Sequence, residues 1–201
     1  MRNRSCSCDS ISERPCTLVI AGGKRVLIGA PAGLGQALRS EDLRQLDAVI
    51  VTSLMAADLE GLDEVRNTSW HAGRDEPLLV IGPPGIETVV TALNKAYEAA
   101  DALHTVEQGA PAGGYDAAVL TPRMAVAEKT VFGTGDLEIS RELFGYRIYY
   151  VGNRKVRIAA CNWFERTTAE LAPSDDTVTI GCARSDAAYS WPLTAPIFVE
   201  N

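Results

Sequence analysis

The sequence predicts one layered α/β domain, and three observations carry that prediction. Short runs rich in β-branched and aromatic residues recur through both halves of the chain with helical patterns between them, an order that favours a layered sandwich over a doubly wound sheet. The stretch LDAVIVTS, Leu46 to Ser53, is apolar nearly without alternation, as a strand covered on both faces must be. With 201 residues, 46% hydrophobic and 22% charged, the chain has enough apolar surface for one sizeable core and too little length for two ordinary domains.

In chain order, residues 1–13 are polar and are expected to form a flexible N-terminus, with a single domain over 14–201. Cys6, Cys8 and Cys16 read as C-x-C-x7-C, which lacks the paired C-x2-C spacing and a fourth ligand, so free thiols are expected there rather than a structural metal. Five cysteines, with Cys161 and Cys182, also speak against a disulfide scaffold. TLVIAGGKRVLIGAP is two β-branched runs around Gly22-Gly23, a hairpin signal at a sheet edge. Leu34, Leu38, Leu43 and Leu46 recur at roughly helical intervals, broken near Ser40, which suits a cap.

The next strand, EPLLVIG, stops at Gly82-Pro83-Pro84-Gly85, where two prolines cannot donate to a ladder. IETVVTALNKAYEAADAL follows as the clearest amphipathic helix. Further strands are predicted at YDAAVLTP, EKTVFGTG, GYRIYYVG, KVRIAACNW and DTVTIGCA. GPPG reads as a rigid turn rather than a phosphate loop, because its prolines lack the N–H groups that cradle phosphate.

The net charge of −7 disfavours nucleic acid as a partner, since that affinity comes largely from Lys and Arg displacing counterions. No apolar run reaches the length of a membrane span, and MRNRSCSCDS lacks the apolar core of a signal peptide. A cytoplasmic location without membrane contact is expected.

Several of these pieces together resemble the metallo-β-lactamase fold, in its ribonuclease Z and cyclic phosphodiesterase branch. LIGAP, Leu27 to Pro31, looks like that branch's L-I-D-A-G. TSLMAADLEGL, Thr52 to Leu62, looks like its T-H-x-H-x-D-H-x-x-G-L, followed by GPPG and a helix. ISRELFGY, Ile139 to Tyr146, looks like its H-S-x-x-x-F-G-Y, and VRIAACNW like the strand ending in a metal-bridging aspartate. The resemblance implies a four-layer αββα sandwich, and homodimers are compatible with it. In the branch these histidines and aspartates hold two metals, usually zinc, that make hydroxide from bound water near neutral pH.

Here the ligand positions fall on Ser53, Met55, Ala57 and Asp58, the later histidine on Ile139, and the bridging aspartate on Asn162 or Trp163. The aspartate of L-I-D-A-G falls on Gly29. His71 and His104, the chain's two histidines, occupy no ligand position. No metal and no cofactor are therefore expected at this degenerate site. Asp58 is the candidate catalytic residue as a general base, or else a carboxylate at a helix N-terminus held by backbone N–H groups. Ser53 and Cys161 are nucleophile candidates without a histidine to activate them. Tyr146, Tyr149 and Tyr150 line a ligand site or fill core, and His71 reads as a solvated loop residue.

The expected role is that of a pseudoenzyme: a metallo-β-lactamase-fold protein that binds a small molecule or a protein partner in the former metal cleft. The rival is a metal-independent hydrolase, cyclase or isomerase using the same cleft. A metal-dependent phosphodiesterase or ribonuclease Z-like hydrolase is the weakest reading.

Overall fold

The computed structural model describes residues 2–5, 17–142, 145–150, 154–159 and 177–180. Gly22 and Gly23 both take positive φ, 57° and 74°, the conformation in which a two-residue turn matches the twist of antiparallel strands and which side chains resist. They join β2 (Thr17–Ala21) to β3 (Lys24–Ile28). The hairpin is not an edge. On one side β1 (Arg2–Ser5), within the stretch expected to be flexible, pairs antiparallel with β2. On the other, β3 pairs in parallel with β4 (Ala48–Ile50), β4 with β5 (Leu78–Gly82), and β5 with β6 (Leu120–Met124). The first sheet thus has the order β1-β2-β3-β4-β5-β6.

A second sheet, ordered β11-β10-β9-β8-β7, contains β7 (Thr130–Gly133), β8 (Leu137–Glu142), β9 (Gly145–Tyr150), β10 (Arg154–Ala159) and β11 (Thr177–Ile180). All its pairings are antiparallel except β10 with β11. Strand β8 was not predicted. The predicted strand YDAAVLTP begins instead as a 3-10 turn, Asp116–Ala118, before β6.

Side chains alternate across a strand, so the first sheet has two apolar faces. Leu18, Leu27, Val49, Leu78, Val80 and Leu120 pack under the helices. Val19, Val26, Ile28, Ala48, Ile50 and Ile81 meet Val131, Leu137, Ile139, Tyr146 and Ile148 of the second sheet. Each such Val, Leu or Ile side chain contributes about 1.5–3 kcal/mol on leaving water. The helical layer holds α1 (Leu34–Ala37), α2 (Ser40–Arg44), α3 (Ala56–Leu59), α4 (Leu62–His71) and α5 (Ile86–Gln108). Three of the four expected layers, α, β and β, lie within the described residues; no described helix covers the second sheet. The break near Ser40 is real, but Arg39 takes the N-cap position and Ser40 makes no capping bond.

Two contacts set the helices on the sheet. Gly61, just before α4, donates its N–H to Ala30 O at 2.9 Å, and a Cβ built on it would lie 1.9 Å from Pro31 O, so only glycine allows this approach. Asn94 of α5 acts as a strand partner for the start of β6: its amide donates to Leu120 O and accepts from Leu120 N, both at 2.9 Å.

Candidate functional site

The stretch resembling the metal-binding motif forms the corner between β4 and α3. β4 ends when Val51 N–H donates to Ile81 O at 2.8 Å, and the chain then turns outward at the carboxyl ends of the parallel strands, where open α/β sheets bind their ligands. Ser53 closes the turn on itself. Its Oγ accepts the Met55 N–H at 3.1 Å and donates to Asp58 Oδ2. Asp58 is buried in the first turn of α3, and its N–H donates to Met55 O at 2.9 Å. Asp58 is thus a first-turn carboxylate that faces a hydroxyl. Ala57 beside it is half-buried.

The corner carries exposed apolar side chains. Leu54 and Met55 are each 38% exposed, and Met124 at the end of β6 and Val126 just after it are 48% and 43% exposed. Leu54 packs on the GPPG turn, its Cδ1 2.8 Å from where a Cβ on Gly85 would stand. That turn uses its carbonyls internally: Ile86 N–H donates to Pro83 O and Thr88 N–H to Gly85 O, both at 3.1 Å, starting α5. It is the rigid turn the prolines imply.

Ile139 has no exposed surface and fills the core between the sheets, as does Tyr146, whose hydroxyl burial pushes up to about 12. Asn162, Trp163, Cys161 and the cysteines Cys6, Cys8 and Cys16 lie outside the described residues. His71 is not in a loop. It ends α4, and its ring stacks on His104 of α5 with centroids 4.4 Å apart, Trp70 lying 5.0 and 5.2 Å from the two. Partial burial, then the neighbouring His104, lower the tendency of His71 to take a proton.

The donors at the corner do not fit a two-metal centre. Ser53, Met55, Ala57 and Asp58 provide one carboxylate and one hydroxyl, already joined, where four or five nitrogen or carboxylate ligands are needed. Among the described residues, no three His, Cys, Asp or Glu side chains stand together as a metal site.

Sequence reasoning missed one buried charge cluster. Arg66 of α4 pairs with Asp101 of α5, Nη1 to Oδ1 at 3.1 Å and Nη2 to Oδ2, and lies over the Tyr97 ring at 5.0 Å. The signal was present: Arg66 falls on the same helical face as Leu62, Val65 and Trp70, all buried.

Comparison with known proteins gives this geometry a context. No family model matches the chain. Over 88 residues it is 38% identical to the ribonuclease Z of Mycobacterium marinum, covering 41% of this chain and 32% of that protein. Over 88 residues it is 36% identical to the ribonuclease Z of Mycobacterium bovis, covering 41% and 31%. The match spans about a third of the length of these curated relatives. Among solved structures, human tRNase Z, short form, superposes with a TM-score of 0.53 at 12% identity, over 79% of this chain and 68% of that one. Zinc-bound PqqB from Methylobacterium extorquens superposes with 0.51 at 18%, over 86% and 60%. The metallo-β-lactamase fold protein YhfI from Bacillus subtilis superposes with 0.53 at 11%, over 80% and 63%. The chain therefore has the metallo-β-lactamase fold. Within that fold its sequence likeness is to the ribonuclease Z-like branch.

Proposed function

We propose that this chain works by binding at the β4–α3 corner, taking a small molecule or a protein partner with an apolar face, and not by metal-dependent hydrolysis. The observation that carries this reading is the corner itself. The positions resembling metal ligands hold Ser53, Met55, Ala57 and Asp58, the hydroxyl and the carboxylate are joined to each other, and Leu54 and Met55 beside them are exposed, with Met124 exposed on the strand paired to β5. Exposed apolar groups clustered at the carboxyl ends of strands favour a ligand that removes them from water.

The names of the relatives favour a ribonuclease Z-like hydrolase, and the donor chemistry above weighs against it. One observation supports a metal-independent enzyme as the second reading: Ser53 Oγ donates to the Asp58 carboxylate, which is the arrangement of a hydroxyl nucleophile beside a base. A cytoplasmic, homodimeric protein that binds no nucleic acid belongs to the same proposal. Among the described residues no helix is long and apolar enough to cross a membrane.

Elemental analysis of the purified protein, with turnover assays on phosphodiesters and pre-tRNA, tests the proposal. The expected result is no stoichiometric zinc, manganese or iron and no turnover, with apolar ligands raising the melting temperature of the native chain but not of Met55→Asp. Two tightly held metals per chain would overturn it, and turnover that survives chelation and vanishes in Ser53→Ala would favour the second reading.

A further inference from the structure

At the opposite edge of the first sheet, where the parallel strands begin, lies a groove of about 530 Å³. Its walls come from the turn before β3, the segment Arg44 to Asp47 before β4, and Ala72 to Pro77 before β5, with Ala112 beside them. It is separate from the corner, which sits where those strands end.

The charges along this groove are unevenly committed. Arg25 donates through Nε to Asp42 at 3.3 Å, and Asp47 is held by Lys24 Nζ at 2.6 Å and the Arg25 N–H at 2.7 Å. Arg44 and Arg74 make no ion pair with any described residue. Arg74 is the unusual one, because it is only 2% exposed. Its Nε donates to Ser69 Oγ at 3.0 Å and its Nη1 to Glu76 O, while Nη2 is buried without a hydrogen-bond partner among the described residues. Burial, then repulsion from Arg66, pull the guanidinium down to about 10. The exposed Asp75 offsets part of this charge, but no described carboxylate pairs with the guanidinium, and a buried cation left so is costly.

Geometry brings the second arginine to the same place. A Cβ built on Gly73 would lie 3.9 Å from Arg44 Cδ and 3.6 Å from Ala112 Cβ, so the Arg44 stem crosses the bare backbone next to Arg74. We infer that this groove binds a small monocarboxylate, its carboxylate met by Arg44 over the buried charge of Arg74 and its apolar body resting on Leu46, Ala72, Pro77 and Ala112. A guanidinium fork matches the two oxygens of a planar carboxylate. Asp75 and Glu76, exposed in the same walls, offset much of the charge of the two arginines, so the groove disfavours a doubly charged anion such as phosphate more strongly than a singly charged one.

Titration of the isotope-labelled full chain with acetate, benzoate and inorganic phosphate, at constant ionic strength, tests this. The expected result is saturable amide shifts at Gly73, Arg74 and Ala112 with millimolar benzoate and acetate, weaker with phosphate. Arg44→Ala, at an exposed position, is expected to weaken benzoate binding about tenfold, a loss of one contact in affinity terms, with an unchanged unfolding midpoint. Arg74→Met, which removes the buried charge, is expected to weaken it as well. Absence of saturable shifts, unaltered benzoate affinity in Arg44→Ala, or phosphate binding as tightly as benzoate would each overturn the inference.

Discussion

Replacing Asp101 by Ala removes the only acidic side chain paired with Arg66 among the described residues. Arg66 is 1% exposed, so its guanidinium stays out of water, held by Asn67 Oδ1 at 2.7 Å and the face of Tyr97. Arg74, also buried, adds repulsion from close by. Removing one partner of a buried pair costs about 3–5 kcal/mol, a large share of the roughly 5–15 kcal/mol that holds a domain folded. For a chain of this size each kcal/mol moves the melting temperature by about 2–4 °C, so a fall of roughly 6–20 °C is expected. Urea unfolding is the assay, with an unchanged slope showing that the same structure unfolds. The double variant Arg66→Met, Asp101→Leu is expected to be more stable than Asp101→Ala, because it leaves no unpaired charge behind. A cost below about 1 kcal/mol for Asp101→Ala, the range of solvated surface pairs, would refute the claim that this pair is buried and holds α5 to α4.

Other outcomes follow from the same geometry. Gly61→Ala is expected to cost more than the roughly 1 kcal/mol typical of a point change, because its Cβ would meet the Pro31 carbonyl at 1.9 Å; equal urea midpoints would contradict this. Folded His71 takes its proton below its ordinary value of 6.5, so the unfolded chain binds more protons just below that pH and stability falls as pH drops through this window. His71→Gln should flatten that part of the stability profile, and an unchanged profile would remove the His71–His104 stack as its cause. The quadruple variant Ser53→His, Met55→His, Ala57→Asp, Asp58→His is expected to bind at most one zinc weakly and to hydrolyse no phosphodiester, since Ile139 fills core where a further ligand is needed and unsupported ligands are poorly oriented. Enzyme-like turnover by that variant would refute the reading of the corner.

Much of the fold was legible because its signals are local. Gly22-Gly23 carries its own turn, Ala48 to Val51 is apolar on both faces, and the period of Ile86, Val90 and Leu93 makes α5 a helix whatever surrounds it. The likeness in the corner was legible for a related reason: Gly61 and the GPPG turn serve backbone packing, which persists whatever the neighbouring side chains do. Other features depend on partners distant along the chain. β8 is a strand because it pairs with β7 and β9. His71 and His104 lie 33 positions apart and meet only when α4 and α5 pack. The same packing buries Arg66 against Asp101. The loops before β4 and β5, unremarkable in sequence, enclose a groove against a buried Arg74 that makes no ion pair among the described residues. Periodicity fixes which face of an element is apolar, because each side chain's direction follows from its own backbone; which charges share a buried space depends on how separate elements dock, and no short stretch of sequence contains that.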